Sequence, residues 1–476
     1  MIAVEKIIAL IQQKGYEIGQ LTIGEIVEVA DDLGVRASEV IIAEGMAQNT
    51  MTREEVIDAM INAFAHNLYA SEVGLTSGSS MLLGTVPQEL VYNNFSHSLF
   101  KDEIINKILV YTLAAQVGNH SCGLQPCAGT GDSCVYTGIF RALKEIITDK
   151  EELGRVLAVM LKVGTIFRAG KTTTGCNMEG FGASAAAMAA CMVEFRNGRP
   201  KAIAKAIVLA LSPTIAVPCT PRVMVSGLCA THIGGGVVIG NLAANLALNT
   251  NIPLDVPVDV MIAMAAAVHP VSAKYVVPVV NEYMQPFFKT NTHVESFVDD
   301  SVKDAEQKNI KGTMEKALGE ARTLAKKANS IVKPFGEAVV GGSSQAVGSP
   351  TNAGRIAYAL AKGEITGVKI ELYPELFARR GINVPGILMA AVLGASTDNG
   401  QTYRDIMQIV KNKKIKVEIK QVDEPQMQRI TIYATEQGSM VETLNRGGAR
   451  LVLKDARPSL DQAIIAAQRL GIVLVD

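Results

Sequence analysis

The chain has 476 residues, with 45 basic side chains set against 46 acidic ones, and 48% of it is apolar. That length allows more than one domain with a substantial core. A nearly balanced, dispersed charge excludes the electrostatic footprint of a nucleic-acid or anionic-membrane binder.

The first twenty residues place Glu5 and Lys6 inside an apolar stretch, which reads as an amphipathic helix, not an export signal. A cytoplasmic protein is the expectation. Over residues 21–60 the apolar positions recur at helical spacing, and Thr52 followed by Glu55 has the form of a capping box. Residues 74–84, GLTSGSSMLLG, form a small-residue loop whose amides and hydroxyls could face a ligand. Taken alone, an ordinary tight connection explains the same residues.

From there to residue 295, Ala-rich helical segments alternate with glycine loops, without alternating strand patterns. The most apolar stretches, 183–195 and 256–280, are interrupted by Cys191, Asp259, His269, Pro270 and Lys274. Neither offers a continuous membrane-length run, and both read as buried, closely packed helices. Residues 296–332 are charged, good helix formers and read as a solvated linker. Beyond Lys333 the texture changes to alternation at 368–373, 415–420, 429–433 and 449–454, with helices at 353–360 and 385–393 and a final strand at 470–476. The expected fold is therefore an all-α, Ala/Gly-rich catalytic domain over 1–295, the helical linker, and a smaller α+β domain over 333–476.

All seven cysteines fall between Cys122 and Cys229. An odd, clustered set without an export signal argues against a disulfide framework and leaves metal ligands, a reactive thiol or small core residues. Three sit beside Gly or Pro: Cys127 in QPCAGTGDSC (125–134), Cys176 in TGCNMEG (174–180) and Cys219 in AVPCTPR (216–222). Loops of that composition can wrap an iron–sulfur cluster, and three thiolates on a cubane leave one iron open. The segment GTIFRAGKT (164–172) has a phosphate-loop flavour, but five residues separate its glycines where four are required.

These motifs resemble the iron–sulfur-dependent L-serine dehydratases, over nearly the whole chain. The glycine–cysteine opening at Gly175 and Cys176 is similar to the family's, as is VPCTPR to its Val-Pro-Cys cluster motif. Pro126 to Gly129 resembles its substrate loop, and residues 75–79 its serine–threonine–glycine loop. The C-terminal third resembles the family's β-domain at GGSS (341–344), 369–373 and RGGAR (446–450). The resemblance implies a [4Fe-4S] cluster and a lyase that eliminates water from a small, L-serine-like amino or hydroxy acid. It further implies substrate contacts at Thr76, Ser77, Gly78, Ser79, Ala128, Gly129 and Thr130, and a homodimer with no nucleic-acid or membrane partner.

Two departures bear on the chemistry. The family's third cluster cysteine, shortly before Val-Pro-Cys, is absent at 211–213 (LSP), leaving Cys127 or Cys134 to replace it. Flanking Pro and Gly favour Cys127, giving Cys127, Cys176 and Cys219 as the expected ligands. The family's β-domain histidines are also absent, since no histidine follows His293. His120 and His232, each close to a cysteine loop, are the candidate proton-transfer groups. His66, His97, His269 and His293 rank below them. A related C–S lyase, such as a cysteine desulfidase, and a non-catalytic amino-acid-binding relative are the alternatives.

Overall fold

A computed structural model describes residues 4–92, 98–124, 133–169, 179–218, 224–328, 330, 332, 344–446 and 450–476. The chain divides into two compact units, Met1–Ala321 and Arg322–Asp476.

The first unit is helical, as its periodicity predicts. Helices α1 (Val4–Gln13), α2 (Ile23–Leu33), α3 (Ala37–Asn49) and α4 (Arg53–Asn62) make the lead-in. Thr52 caps α4 in the expected capping box, and Thr22 and Glu25 cap α2 in the same way. Each box satisfies N–H groups that the first helical turn leaves unpaired. Helices α5 (Ala65–Thr76), α6 (Val86–Tyr92), α7 (Glu103–Cys122), α8 (Cys134–Ile146) and α9 (Lys150–Ala169) follow. A π-turn over Glu179–Ala183 then leads into α10 (Ser184–Phe195), every residue of which through Glu194 is buried.

Small residues set the helix spacing. A β-carbon on Gly74 of α5 would stand 1.9 Å from the Ala114 carbonyl oxygen of α7, so only glycine permits that approach. Helix α11 (Pro200–Leu211) and α12 (Leu228–Asn249) pack on α10. Gly240 of α12 faces Ala185 and Met188 at similarly short range.

Helix α13 (Val258–Met284) departs from the expected buried helix. It exposes Val260, Met264, Val271, Tyr275 and Val279, while Met261, Ala265, His269 and Ser272 face inward. Its start is tied to α2, because Asp259 accepts from the Thr22 hydroxyl at 2.9 Å and from the Gly24 N–H at 3.1 Å. Asp259, His269, Pro270 and Lys274 interrupt its apolar run as expected. Among the described residues, Leu228–Asn249 and Val258–Phe287 are each long and apolar enough to cross a membrane by length and composition. Pro270 and Pro278 are accommodated within α13. After a short α14 (Thr292–Glu295), the charged linker sequence forms one long helix, α15 (Asp300–Lys327), wet along most of its length.

The second unit holds α16 (Ser344–Leu360), β1 (Ile365–Leu372), α17 (Pro374–Ala378), α18 (Arg380–Leu393), α19 (Gly400–Asn412), β2 (Lys416–Gln421), β3 (Met427–Ala434), β4 (Ser439–Asn445), β5 (Leu451–Arg457) and α20 (Leu460–Arg469). The strands form one sheet in the order β2-β1-β3-β4-β5, with β1 and β2 parallel and the other pairs antiparallel. Ile370 pairs with Ile430, which pairs in turn with Val441, laying one apolar row across the sheet beneath α16 and α18.

The second unit differs from the sequence reading in a missed strand and an expected one. Strand β4, SMVETLN, is interrupted by Glu442 and Asn445 and carries too weak an alternation to be legible. Residues 470–476 do not form a strand, because they meet the sheet only through an isolated bridge between Leu451 and Leu474. Of the family-like GGSS and RGGAR stretches, 341–343 and 447–449 lie outside the described residues, and α16 begins at Ser344.

Candidate functional site

The three expected cluster ligands, Cys127, Cys176 and Cys219, and the substrate-loop residues Ala128, Gly129 and Thr130, lie outside the described residues. The stems that bear them are described. Residues 125–132 join α7 to α8, 170–178 join α9 to the π-turn, and 219–223 precede the turn into α12.

Side chains and backbone groups at these stems touch. Gly227, just before α12, donates its N–H to the Leu82 carbonyl at 2.8 Å. Two residues from Leu82, the Ser80 hydroxyl meets Nδ1 of His120, in the last turn of α7, at 2.5 Å. Nε2 of the same imidazole lies 2.9 Å from the Gln116 amide, whose other end is 2.9 Å from Sγ of Cys134, the first residue of α8. Phe181 in the π-turn packs against His232 on α12, ring centroids 5.1 Å apart. His66 places Nε2 3.0 Å from the Gly123 carbonyl, just past the end of α7.

Burial divides this constellation into a foundation and a working face. Ser80 is 4% exposed and Gln116 2%, whereas the His120 side chain is exposed at the rim. His232 is buried beneath Phe181. Of the two candidate histidines, His120 is thus exposed and His232 buried.

The loop after α5 is corrected in detail. Gly74, Leu75 and Thr76 belong to the helix, and the Thr76 hydroxyl donates to the Glu72 carbonyl of its own helix at 2.9 Å. Ser77, Gly78 and Ser79 do form a connection. It is pinned by the Gly78 N–H to the Val73 carbonyl, by Gln88 to the Gly78 carbonyl, and by the Ser121 hydroxyl to the Ser79 carbonyl at 3.2 Å. Those contacts hold it beside the end of α7. On the far side, Ala216 takes a left-handed φ of 64°, a strained choice for a residue with a β-carbon. Ser272 of α13 steadies it by donating to its carbonyl at 3.0 Å, three residues ahead of Cys219.

Sequence reasoning passed over Ser80 and Gln116 and ranked His66 low. Gln116 carried a signal, since it precedes His120 by one helical repeat and must share its face. Ser80 stood inside the small-residue segment but beyond the family-like part of it. His66 lies far from any cysteine in sequence, and only the α5–α7 packing brings it near.

Among the described residues, no group of three or more His, Cys, Asp or Glu side chains is placed to hold a metal ion. A cluster would have to draw on cysteines of the three loops whose stems meet here. The donor chemistry fits, because each loop carries one thiol beside Gly or Pro.

Ser80, His120, Gln116 and Cys134 thus form one chain of contacts beside the ends of α7 and α8, which flank the first cysteine-bearing loop. A family model for the serine dehydratase alpha chain matches residues 13–276, more than half of the chain, and the chain belongs to that family. It is a family of iron–sulfur-dependent hydro-lyases of amino-acid metabolism. No curated protein matches the chain.

Proposed function

We propose that this chain is a [4Fe-4S]-dependent lyase that eliminates water from a small, L-serine-like amino or hydroxy acid in the cytoplasm, working as a homodimer. The observation that carries the reading is the meeting of the three loop stems, which would bring Cys127, Cys176 and Cys219 to one end of the helical unit. Cys134 is the weaker third ligand, since it is 1% exposed and its sulfur is engaged with Gln116.

When bound, such a cluster supplies a Lewis-acidic iron that stabilises the departing hydroxide. The chain's own groups do the rest. His120, exposed at the rim, is the proton-transfer group, since an imidazole can both give and take a proton. Ser77, Gly78 and Ser79 on one side, with Ala128, Gly129 and Thr130 on the other, offer amides and hydroxyls for a substrate carboxylate, which suits a short polar molecule. His232 supports the site from within the bundle.

Anaerobic purification with iron and sulfide reconstitution tests this directly. A brown protein with iron bound, releasing ammonia from serine, is the expected result, and Cys127→Ser should lose the cluster while Cys134→Ser keeps it. Sulfide from cysteine instead would replace the dehydratase reading by the C–S lyase one. A colourless, iron-free protein after reconstitution would overturn both.

A further inference from the structure

The Ser80–His120–Gln116–Cys134 contacts form a chain whose hydrogen directions can be worked out by counting. The Ser80 oxygen accepts the N–H groups of Leu82 and Leu83, both at 3.1 Å. A hydroxyl oxygen has two lone pairs and one hydrogen. With both lone pairs taken, the hydrogen is what remains for Nδ1 of His120. Nδ1 is therefore an acceptor, and a neutral imidazole must then carry its proton on Nε2.

That proton points at the Gln116 side chain, 2.9 Å away. An amide's oxygen and nitrogen are nearly the same shape, so the hydrogen-bond network decides which end faces which. An Nε2–H requires the Gln116 oxygen, and this turns the Gln116 N–H toward the Cys134 sulfur. The opposite arrangement would need a third donor on the Ser80 oxygen.

We infer that Ser80 and Gln116 are positioning residues that lock His120 in its neutral Nε2–H tautomer, with the Gln116 oxygen on the imidazole and its N–H on the Cys134 sulfur. Both lie buried behind an exposed imidazole, so their effect on a ligand passes through His120. Protonating Nδ1 would set two donors against each other at Ser80, so the ring stays neutral until the Ser80 hydroxyl turns away. A part for this ring in proton transfer rests on the proposed lyase function, whereas the tautomer does not.

The test is nitrogen NMR on the full chain labelled with [15N]histidine, before and after anaerobic reconstitution. Six histidines contribute, and the His120 signals are identified by their loss in His120→Gln. The expected result near neutral pH is an unprotonated, hydrogen-bonded Nδ1 and a protonated Nε2. Ser80→Ala should give a mixture of the two tautomers, and Ser80→Thr, which restores the hydroxyl, should return the single form. Gln116→Met gives an independent reading from the other nitrogen and should also mix the tautomers. An Nδ1–H form or an imidazolium in the unsubstituted chain would overturn the inference, as would single-tautomer signals unmoved in both Ser80→Ala and Gln116→Met. Because the label reads the ring and not turnover, a chain that binds no cluster and performs no elimination leaves this result standing.

Discussion

Gly118 lies so close to Ala70 that a β-carbon added to it would stand 1.8 Å from the Ala70 carbonyl oxygen. Together with Gly74 against Ala114, this fixes how near α5 and α7 approach, and α5 and α7 carry the Ser77–Ser79 connection and His120. Gly118→Ala must push the two backbones apart, and overpacking of that kind costs about 2 kcal/mol. A lower urea midpoint with an unchanged slope is the expected outcome, together with a weakened Ser80–His120 contact in the tautomer measurement.

Arg36 and Glu194 make a second testable pair. Nε of Arg36 meets Oε1 of Glu194 at 2.7 Å, and the carboxylate is only 1% exposed and also accepts from the Ser38 hydroxyl. Removing the guanidinium strands a buried charge, so Arg36→Met should cost about 3–5 kcal/mol in denaturant unfolding. A loss under 1 kcal/mol would show that the pair contributes little.

The same carboxylate sets a pH dependence. Burial raises the Glu194 pKa above its ordinary 4.5, against the lowering effects of Ser38 and Arg36. A folded-state value above the unfolded one means that its stabilising contribution is complete below about pH 4.5 and is lost as pH rises through the raised value. Unfolding free energies of the native chain and of Glu194→Gln, compared from acid to neutral pH, should therefore diverge, with the native chain losing ground as pH increases. A difference constant across that range would contradict the sign.

How much of this could be read from the sequence depends on the length scale of the signal. The capping boxes at Thr22 and Thr52 and the buried run of α10 are local patterns within one helical repeat or two, and such patterns are legible. Helix α13 misled because its composition resembles α10, whereas its burial depends on partners that only the tertiary arrangement supplies. The site behaves likewise. His120 was marked by its closeness to a cysteine loop, but Ser80 is 40 residues from it and Cys134 14, and no periodicity links them. The cysteine loops that motif resemblance picks out remain expectations, because Cys127, Cys176 and Cys219 lie outside the described residues.

Cysteine reactivity should sort by exposure. Among the described cysteines, Cys122 is exposed, whereas Cys134, Cys191 and Cys229 are buried, and burial pushes the Cys191 thiol far above its ordinary value. Brief alkylation of the native chain followed by peptide mapping should modify Cys122 and spare Cys191. Modification of Cys191 at a comparable rate would mean that α10 opens on the labelling timescale.

The second unit offers a stabilising change. Gln428 on β3 is fully buried and, among the described residues, neither of its amide atoms has a hydrogen-bond partner, nor does the hydroxyl of Thr443, its neighbour across the ladder. Buried polar groups left unpaired cost about 1–3 kcal/mol each. Gln428→Met with Thr443→Val should raise the melting temperature of the C-terminal transition in calorimetry, and a drop would show that these groups are satisfied in solution.

The helices that flank the cysteine-bearing loops contribute their apolar side chains to the core of the first unit. Sequence drift within a loop can then change which molecule is accepted without eroding the fold. The third cluster cysteine has no counterpart in the stretch 211–213, so the proposed use of Cys127 would mean that a ligand position has moved between loops on one scaffold.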